Sequence, residues 1–112
     1  MKYANKPTVV NGIKFDSKAE ARRFVDLLLL RNTGRISDLK CQWPFVLAPG
    51  VKIAGEKKAR PALRFIADFC YIENGRLVVE DVKSPATAKL AAFRIKTHLM
   101  KTVHAIDVRI TT

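Results

Sequence analysis

Two aspartates and a lysine in the second half of the sequence are spaced so that they can act together. Asp68 lies before the pair Asn74-Gly75, and Asp81 and Lys83 lie after it. An Asn-Gly pair between apolar runs is a strong signal for a β-hairpin with a two-residue turn. Such a turn places Asp68 directly opposite Asp81 on one sheet face, with Cβ atoms about 4.5–5.5 Å apart. Lys83 is two residues beyond Asp81 and therefore points to that face as well.

This set of side chains suits the hydrolysis of a phosphodiester bond. Two opposed carboxylates repel each other and need a cation, a shared proton or solvent. Carboxylate oxygens are ligands for Mg²⁺, which keeps several of its waters. One such water can be the nucleophile, while the metal offsets charge on the phosphate. A lysine beside the metal can orient or deprotonate that water and neutralise the phosphate.

The same residues also have a plainer interpretation, in which Asp68 and Asp81 are solvated on an exposed face and Lys83 is their ion-pair partner. Apolar residues on both faces of both strands indicate a covered strand pair instead, and charged side chains there are more often functional. Glu80 competes with Asp81 as a ligand. Strand parity places Glu80 opposite Phe69 on the other face, so it ranks second.

The elements that position these residues follow from local patterns. A hairpin is predicted at about residues 8–15, around an Asn-Gly pair. A helix is predicted over 17–31, with Ser17 and Glu20 in a capping-box pattern and Gly34 close to its C-terminal cap. Strands are predicted over 39–48, 63–72, 77–82 and 105–110, and a second helix over 86–102.

The order of helix, three strands, helix and strand predicts a single α/β domain over residues 1–112, with a mixed central sheet flanked by helices. The last two strands are joined through a helix, which predicts that they are parallel. Two apolar faces are predicted within these elements. One face of the first long strand carries Leu39, Cys41, Trp43, Phe45 and Leu47, and the core face of the second helix carries Ala88, Ala91, Ala92, Ile95 and Leu99.

The net charge indicates the kind of partner. The chain carries 21 Lys and Arg against 10 Asp and Glu, a formal charge of +11, and such an excess on a small domain predicts a polyanionic partner. Nucleic acid fits better than a membrane, since no lipidation motif and no apolar run of membrane-spanning length is present. We therefore expect DNA as the partner, no membrane association and a cytoplasmic location. The basic residues expected to contact DNA are Lys52, Lys57, Lys58, Arg60, Arg64, Lys89, Arg94 and Lys96.

The sequence as a whole resembles the PD-(D/E)XK nucleases. That superfamily's signature is an acidic residue on a first helix, an aspartate on a strand and the triplet (D/E)-x-K on the next strand. Here these are Glu20, Asp68 and Asp81-Val82-Lys83. The runs 11–20 and 79–83 are similar to a family of small phage and prophage proteins. These are related to Holliday-junction resolvases and to the endonuclease subunit of a cut-and-paste transposase, and the resemblance covers essentially the whole chain.

The resemblance implies a restriction-endonuclease-like αβββαβ core and a Mg²⁺-dependent DNA endonuclease, with Mn²⁺ as a substitute and branched or junction DNA as one substrate class. It implies that Glu20, Asp68 and Asp81 bind the metal and that Lys83 is the catalytic lysine. Gln42 resembles a glutamine near the active site of some relatives. The location would be the host cytoplasm if the chain is phage-encoded.

A second function class stays open at this point, a non-catalytic nucleic-acid-binding module on the same fold. Such a module would keep the basic residues but lack a complete acidic set, so the presence of all four signature positions favours the nuclease. The sequence does not distinguish a monomer from a homodimer. It also leaves open whether the substrate is a junction, a nick, a single strand or a specific duplex site.

Overall fold

A computed structural model describes residues 6–112, so the first five residues of the predicted domain lie outside the described range. No helix in this range is long and apolar enough to cross a membrane. The elements in chain order are β1 (Thr8–Val10), β2 (Ile13–Phe15), α1 (Lys18–Asn32), β3 (Ser37–Ala48), β4 (Leu63–Glu73), β5 (Arg76–Val82), α2 (Pro85–Ala88), α3 (Ala91–His104) and β6 (Arg109–Thr111).

The strands form two sheets. β1 and β2 make the predicted N-terminal hairpin, and the other four form a mixed sheet in the order β3-β4-β5-β6. β3, β4 and β5 are antiparallel neighbours, and β6 runs parallel to β5 after the helical crossover, as predicted. The mixed α/β class and the parallel last pair are therefore confirmed.

Helix α1 covers one face of the sheet and is held at both ends by local signals. The Ser17 side chain accepts a hydrogen bond from the Glu20 backbone N–H at the N-terminus. At the other end Gly34 has φ +78°, and the Arg35 N–H donates to the Leu30 carbonyl at 2.8 Å, which is a Schellman ending. The apolar side of α1 contributes to a core cluster of Phe15, Ala21, Phe24, Leu27, Ile36, Phe69, Tyr71 and Val78.

Helix α3 covers the other face, and it differs from the prediction in extent and in phase. The predicted helix over 86–102 is split, because Leu90 has an extended backbone (φ −65°, ψ 139°) between α2 and α3. The break resets the helical phase, so the predicted core face is wrong for most of its members, and Ile95 is 58% exposed. The buried residues of α3 are Phe93 and Met100, which pack with Leu47, Phe65, Ala67, Cys70 and Val79.

The predicted single apolar face of β3 is also wrong. Gln42 has φ +53° within β3, and this left-handed residue interrupts the alternation that a regular strand keeps. Before the interruption Leu39 and Cys41 pack with the α1 cluster, whereas Phe45 packs with the α3 cluster after it. Trp43, expected in the core, is 43% exposed.

Candidate active site

The β4–β5 hairpin has the turn that the sequence predicts. Asn74 has φ +52° and Gly75 has φ +76°, and two consecutive positive φ angles are what a type I′ turn requires. The predicted register is confirmed for the backbone pairs from the turn down to Phe69 and Glu80. Beyond that last pair, the next residue on each strand is an aspartate.

Asp68 and Asp81 replace the next rung of the ladder with hydrogen bonds from backbone to side chain. The Asp68 N–H donates to Asp81 Oδ1 at 2.9 Å, and the Val82 N–H donates to Asp68 Oδ2 at 2.7 Å. Both carboxylates are therefore held against the strand pair, and Asp81 is only 2% exposed. The structure brings the two predicted ligands together at the point where the strands separate.

Lys83 is the nearest cation to this pair. Its Nζ lies 3.2 Å from Asp81 Oδ2 and 5.3 Å from the centroid of the Phe93 ring, a favourable position for an ammonium group. The Lys83 N–H donates to the Thr111 carbonyl at 2.9 Å, which fixes this segment beside β6. The ammonium group of Lys83 thus pairs with Asp81 and offsets its charge more than that of Asp68.

Glu20 approaches the aspartates from the first turn of α1. Its backbone N–H donates to Ser17 Oγ at 3.2 Å, and its Oε2 accepts from the Ser17 hydroxyl at 3.3 Å. The Glu20 carboxyl group is also close enough to Asp68 for each of the two groups to affect the pKa of the other. Glu20 therefore takes part in the N-terminal cap of the helix and in the acidic set at the same time.

The pKa values of Asp68 and Glu20 show an excess of negative charge among these carboxyl groups. Burial raises the pKa of Asp68 to about 8, and the charges of Asp81 and Glu20 add to the effect. Burial, followed by the nearby charge of Asp16, also raises the pKa of Glu20. Near neutral pH Asp68 therefore retains a proton. Three carboxylates with one lysine lack the positive charge that would keep them all ionised.

A cleft of about 520 Å³ opens over these groups. Its polar lining consists of Asp16, Glu20, Asp68, Lys83 and hydroxyls such as those of Ser84 and Thr87. Asp81 lines a neighbouring depression instead, on the far side of Lys83. The cleft is thus polar and acidic, and Lys83 is the one lysine among the described residues that line it.

The predicted metal ligands do not form a ready ligand cage. In the part of the chain that the structure describes, no group of three or more His, Cys, Asp and Glu side chains is arranged to hold a metal ion. One reason is that both Asp81 oxygens are engaged, by the Asp68 N–H and by Lys83. The donor set still fits a hard divalent cation in its chemistry, since it offers carboxylate oxygens that lack countercharge.

Glu80 lies on the opposite face, as parity predicts, and it has partners of its own. It is fully buried and accepts from Arg23 Nε at 2.7 Å and Arg23 Nη2 at 2.9 Å. The Tyr71 hydroxyl also donates to it. Sequence reasoning did not single out Arg23. The available signal was its position three residues after Glu20, on a helix that must cover a strand with a buried carboxylate.

Gln42 is opposite Asp68 in the β3–β4 register, between two observed backbone pairs, but its side chain does not join the acids. Its Nε2 donates to the Lys14 carbonyl at 3.2 Å, which connects β3 to the N-terminal hairpin. Gln42 is exposed and has a left-handed backbone, so it lies beside Asp68 in register while its side chain contacts the hairpin.

The predicted DNA-binding residues lie in two places. Lys52, Lys57, Lys58 and Arg60 lie in the loop that joins β3 to β4, where Arg60 pairs with Glu56 at 2.6 Å and Lys52 donates to the Glu56 carbonyl. Arg64 on β4 and Lys96 on α3 line the depression beside Asp81. Lys89 lies at the end of α2, and Arg94 lies on α3. These basic residues are therefore spread over the β3–β4 loop, β4 and the helices α2 and α3.

The chain belongs to the family described as "Protein of unknown function (DUF1064)", whose model matches residues 1–111. Comparison with curated proteins and with solved structures found no match. The family model thus covers nearly the whole chain.

Proposed function

We propose that this protein is a divalent-metal-dependent DNA endonuclease of the PD-(D/E)XK type, with a restriction-endonuclease-like core. The observation that carries the proposal is the excess of carboxylates at the open end of the β4–β5 pair. Glu20, Asp68 and Asp81 share one lysine, and burial and mutual repulsion raise the pKa of Asp68 to about 8. A purely structural role leaves this excess unexplained, because Arg23 shows how the same fold neutralises a buried carboxylate when it needs to.

The proposed roles follow from the chain's own groups. Glu20, Asp68 and Asp81 would hold Mg²⁺ or Mn²⁺, which supplies a water activated for attack and positive charge beside the phosphate. Lys83 lines the cleft, so its ammonium group would stabilise negative charge that develops on the phosphate. The hydroxyls of Ser84 and Thr87 hydrogen-bond to each other at 2.6 Å, which leaves one hydroxyl donor for the same anion.

The element order supports the superfamily assignment. After the N-terminal hairpin, the chain runs through one helix, three antiparallel strands, a helical crossover and a parallel strand. Glu20 lies at the start of α1, Asp68 on β4 and Asp81 on β5, which is the order of the signature. α2 is an additional short helix within the crossover.

A non-catalytic DNA-binding module on this fold is the alternative. One observation favours it, since the Asp81 carboxylate is paired to Lys83 and no three-ligand group is preassembled in residues 6–112. The alternative predicts DNA binding that is independent of divalent metal, with no cleavage of any substrate.

The deciding experiment is a cleavage assay on supercoiled plasmid, linear duplex, single strand and four-way junction, each with Mg²⁺, with Mn²⁺ and with EDTA. The proposal expects metal-dependent strand breaks on at least one substrate, lost in Asp81→Asn. The matched control is Asp107→Asn, a carboxylate on the exposed Lys101 pair, which should retain full activity. Tight binding without cleavage on all four substrates would establish the binding module instead.

A further inference from the structure

A second depression adjoins the acid cleft, and we propose that it binds a further phosphate of the DNA strand, between Arg64 and Lys96. The inference rests on the proposed nuclease function and adds to it a site for the backbone next to the cleavage position. We name this cavity the basic depression. It encloses about 370 Å³ and is lined by Arg64, Phe65, Asp81, Lys83, Phe93 and Lys96, among others.

The charge balance of the basic depression is the reverse of that in the cleft. Arg64 from β4, Lys83 from the end of β5 and Lys96 from α3 line it, against one carboxylate, that of Asp81. Lys83 pairs with that carboxylate at 3.2 Å, whereas neither Arg64 nor Lys96 makes an ion pair within residues 6–112. Two cations from different elements are thus left available to an anion.

The floor between these cations is apolar. Phe65 and Phe93 lie with ring centroids 6.2 Å apart and are both buried. Lys96 follows Phe93 by three residues on α3, so the two side chains lie on the same side of the helix. The arginine and the lysine that flank this floor are the groups that would bind phosphate oxygens.

The position of the basic depression defines the class of substrate. It shares Lys83, Thr87 and Leu90 with the acid cleft, so the two cavities are contiguous and Lys83 lies at their common border. When one phosphate of a DNA strand lies at the acidic residues of the cleft, a neighbouring phosphate of the same strand therefore lies near Arg64 and Lys96. The substrate is a polynucleotide, and a small phosphodiester would fill the cleft alone.

The test measures DNA binding without cleavage, by fluorescence anisotropy on a labelled single-stranded oligonucleotide in EDTA at several salt concentrations. The double variant Arg64→Gln/Lys96→Gln should bind at least about tenfold more weakly. Its plot of log affinity against log salt should be shallower by about 0.7, because the two residues together neutralise one phosphate and each phosphate contact on a single strand contributes about 0.7 to that slope. If this variant does not fold, Arg64→Gln alone should weaken binding and change the slope by at most about 0.7.

The matched control removes the same charge at the other end of the sheet. Arg35→Gln/Arg76→Gln alters two exposed arginines near the β4–β5 turn and should leave the slope as in the wild type. Equal changes in both double variants would mean that DNA binding is a diffuse charge effect, and the proposal would be overturned. Inorganic phosphate at the concentration of the oligonucleotide should not displace it, whereas full displacement would show a site for free phosphate instead.

The two proposals fail in different ways. If DNA binding needs Arg64 and Lys96 but the protein cleaves no substrate, the phosphate site in the basic depression stands and the nuclease proposal is overturned. A protein that cleaves DNA, and whose double variant keeps the wild-type affinity and slope, retains the nuclease and loses the basic depression.

Discussion

Glu80 and Asp81 are neighbours in sequence, and both are almost fully buried, at 0% and 2% exposure, but they have opposite surroundings. Glu80 faces α1 and is matched by the guanidinium of Arg23 and the hydroxyl of Tyr71. Asp81 lies with Asp68, and the one lysine beside it must serve the whole acidic set. We call the first group the Glu80 network and the second the acid cluster.

The proton affinities of the two groups confirm this contrast. In the Glu80 network the hydrogen bonds to Glu80 raise the pKa of Arg23, and burial raises the pKa of Tyr71 to about 12, so every proton is held firmly. In the acid cluster burial raises the pKa of Asp68 to about 8, so a carboxyl group holds a proton that it would otherwise lose. The charge of Glu80 is matched, whereas negative charge is in excess around Asp68. A carboxyl group with so strongly raised a pKa is a candidate for a functional site.

The largest expected effect comes from removing charge on the two sides of this comparison. Asp81→Asn should lower the cleavage rate by about a thousandfold or more, which corresponds to about 4 kcal/mol, with DNA binding unchanged or stronger because a repulsive charge is lost. Glu80→Gln, assayed below its melting temperature, should retain cleavage per folded molecule. Comparable losses in both variants would mean that the two carboxylates have the same role, and the distinction would fail.

Stability should respond in the opposite order. Arg23→Gln leaves Glu80 buried with no cation, and breaking one side of a buried ion pair costs about 3–5 kcal/mol. Denaturant unfolding at neutral pH in EDTA should show this loss, whereas Asp68→Asn should change little there, because Asp68 is already protonated below its pKa of about 8. The control is Asp107→Asn, which breaks an exposed pair and should change little. A stable Arg23→Gln protein would remove the Glu80 network from the account of the fold.

The pH dependence of stability should sharpen the contrast further. The pKa of Asp68 is raised in the folded state above its unfolded value of about 3.9. Its contribution to stability is therefore fully present below about pH 4 and is lost as the pH rises through about 8. In EDTA the Tm should fall over this window, and Asp68→Asn should flatten the fall.

Divalent metal supplies the complementary test. Mg²⁺ or Mn²⁺ should raise the Tm most at the alkaline end of the same window, because a ligand bound to the native state stabilises it and must displace fewer protons there. Asp68→Asn should lose most of this shift. A metal shift that is equal in both proteins would place the metal outside the acid cluster.

Local signals predicted much of this fold. The Asn74-Gly75 turn fixed the strand register, so the meeting of Asp68 and Asp81 followed from a short segment. The parallel last strand followed from the helix that precedes it. Turns and caps depend on neighbouring residues, which are visible in one sequence.

The remainder depends on contacts between distant segments. Nothing in the local pattern marks Leu90 as the break between α2 and α3, or Gln42 as the left-handed residue that turns Phe45 to the other face. Arg23 was missed because its partner is 57 residues away. The proximity of Asp68 and Asp81 was predictable from the turn between their strands, whereas their pairing to Lys83 and to the strand backbone required the structure.

The smallest of these effects concerns Glu20, which belongs to both kinds of region because it helps to cap a helix and borders the acid cluster. Glu20→Gln keeps a hydrogen-bond acceptor for Ser17 but removes the charge. If Glu20 acts only in the cap, the Tm and the cleavage rate should both stay near the wild-type values. The nuclease role predicts an unchanged or higher Tm in EDTA, since burial raises the pKa of this carboxyl group, and a cleavage rate at least about tenfold lower, equal to about 1.4 kcal/mol. Both measurements on one preparation decide between the roles, and full activity would remove Glu20 from the acid cluster.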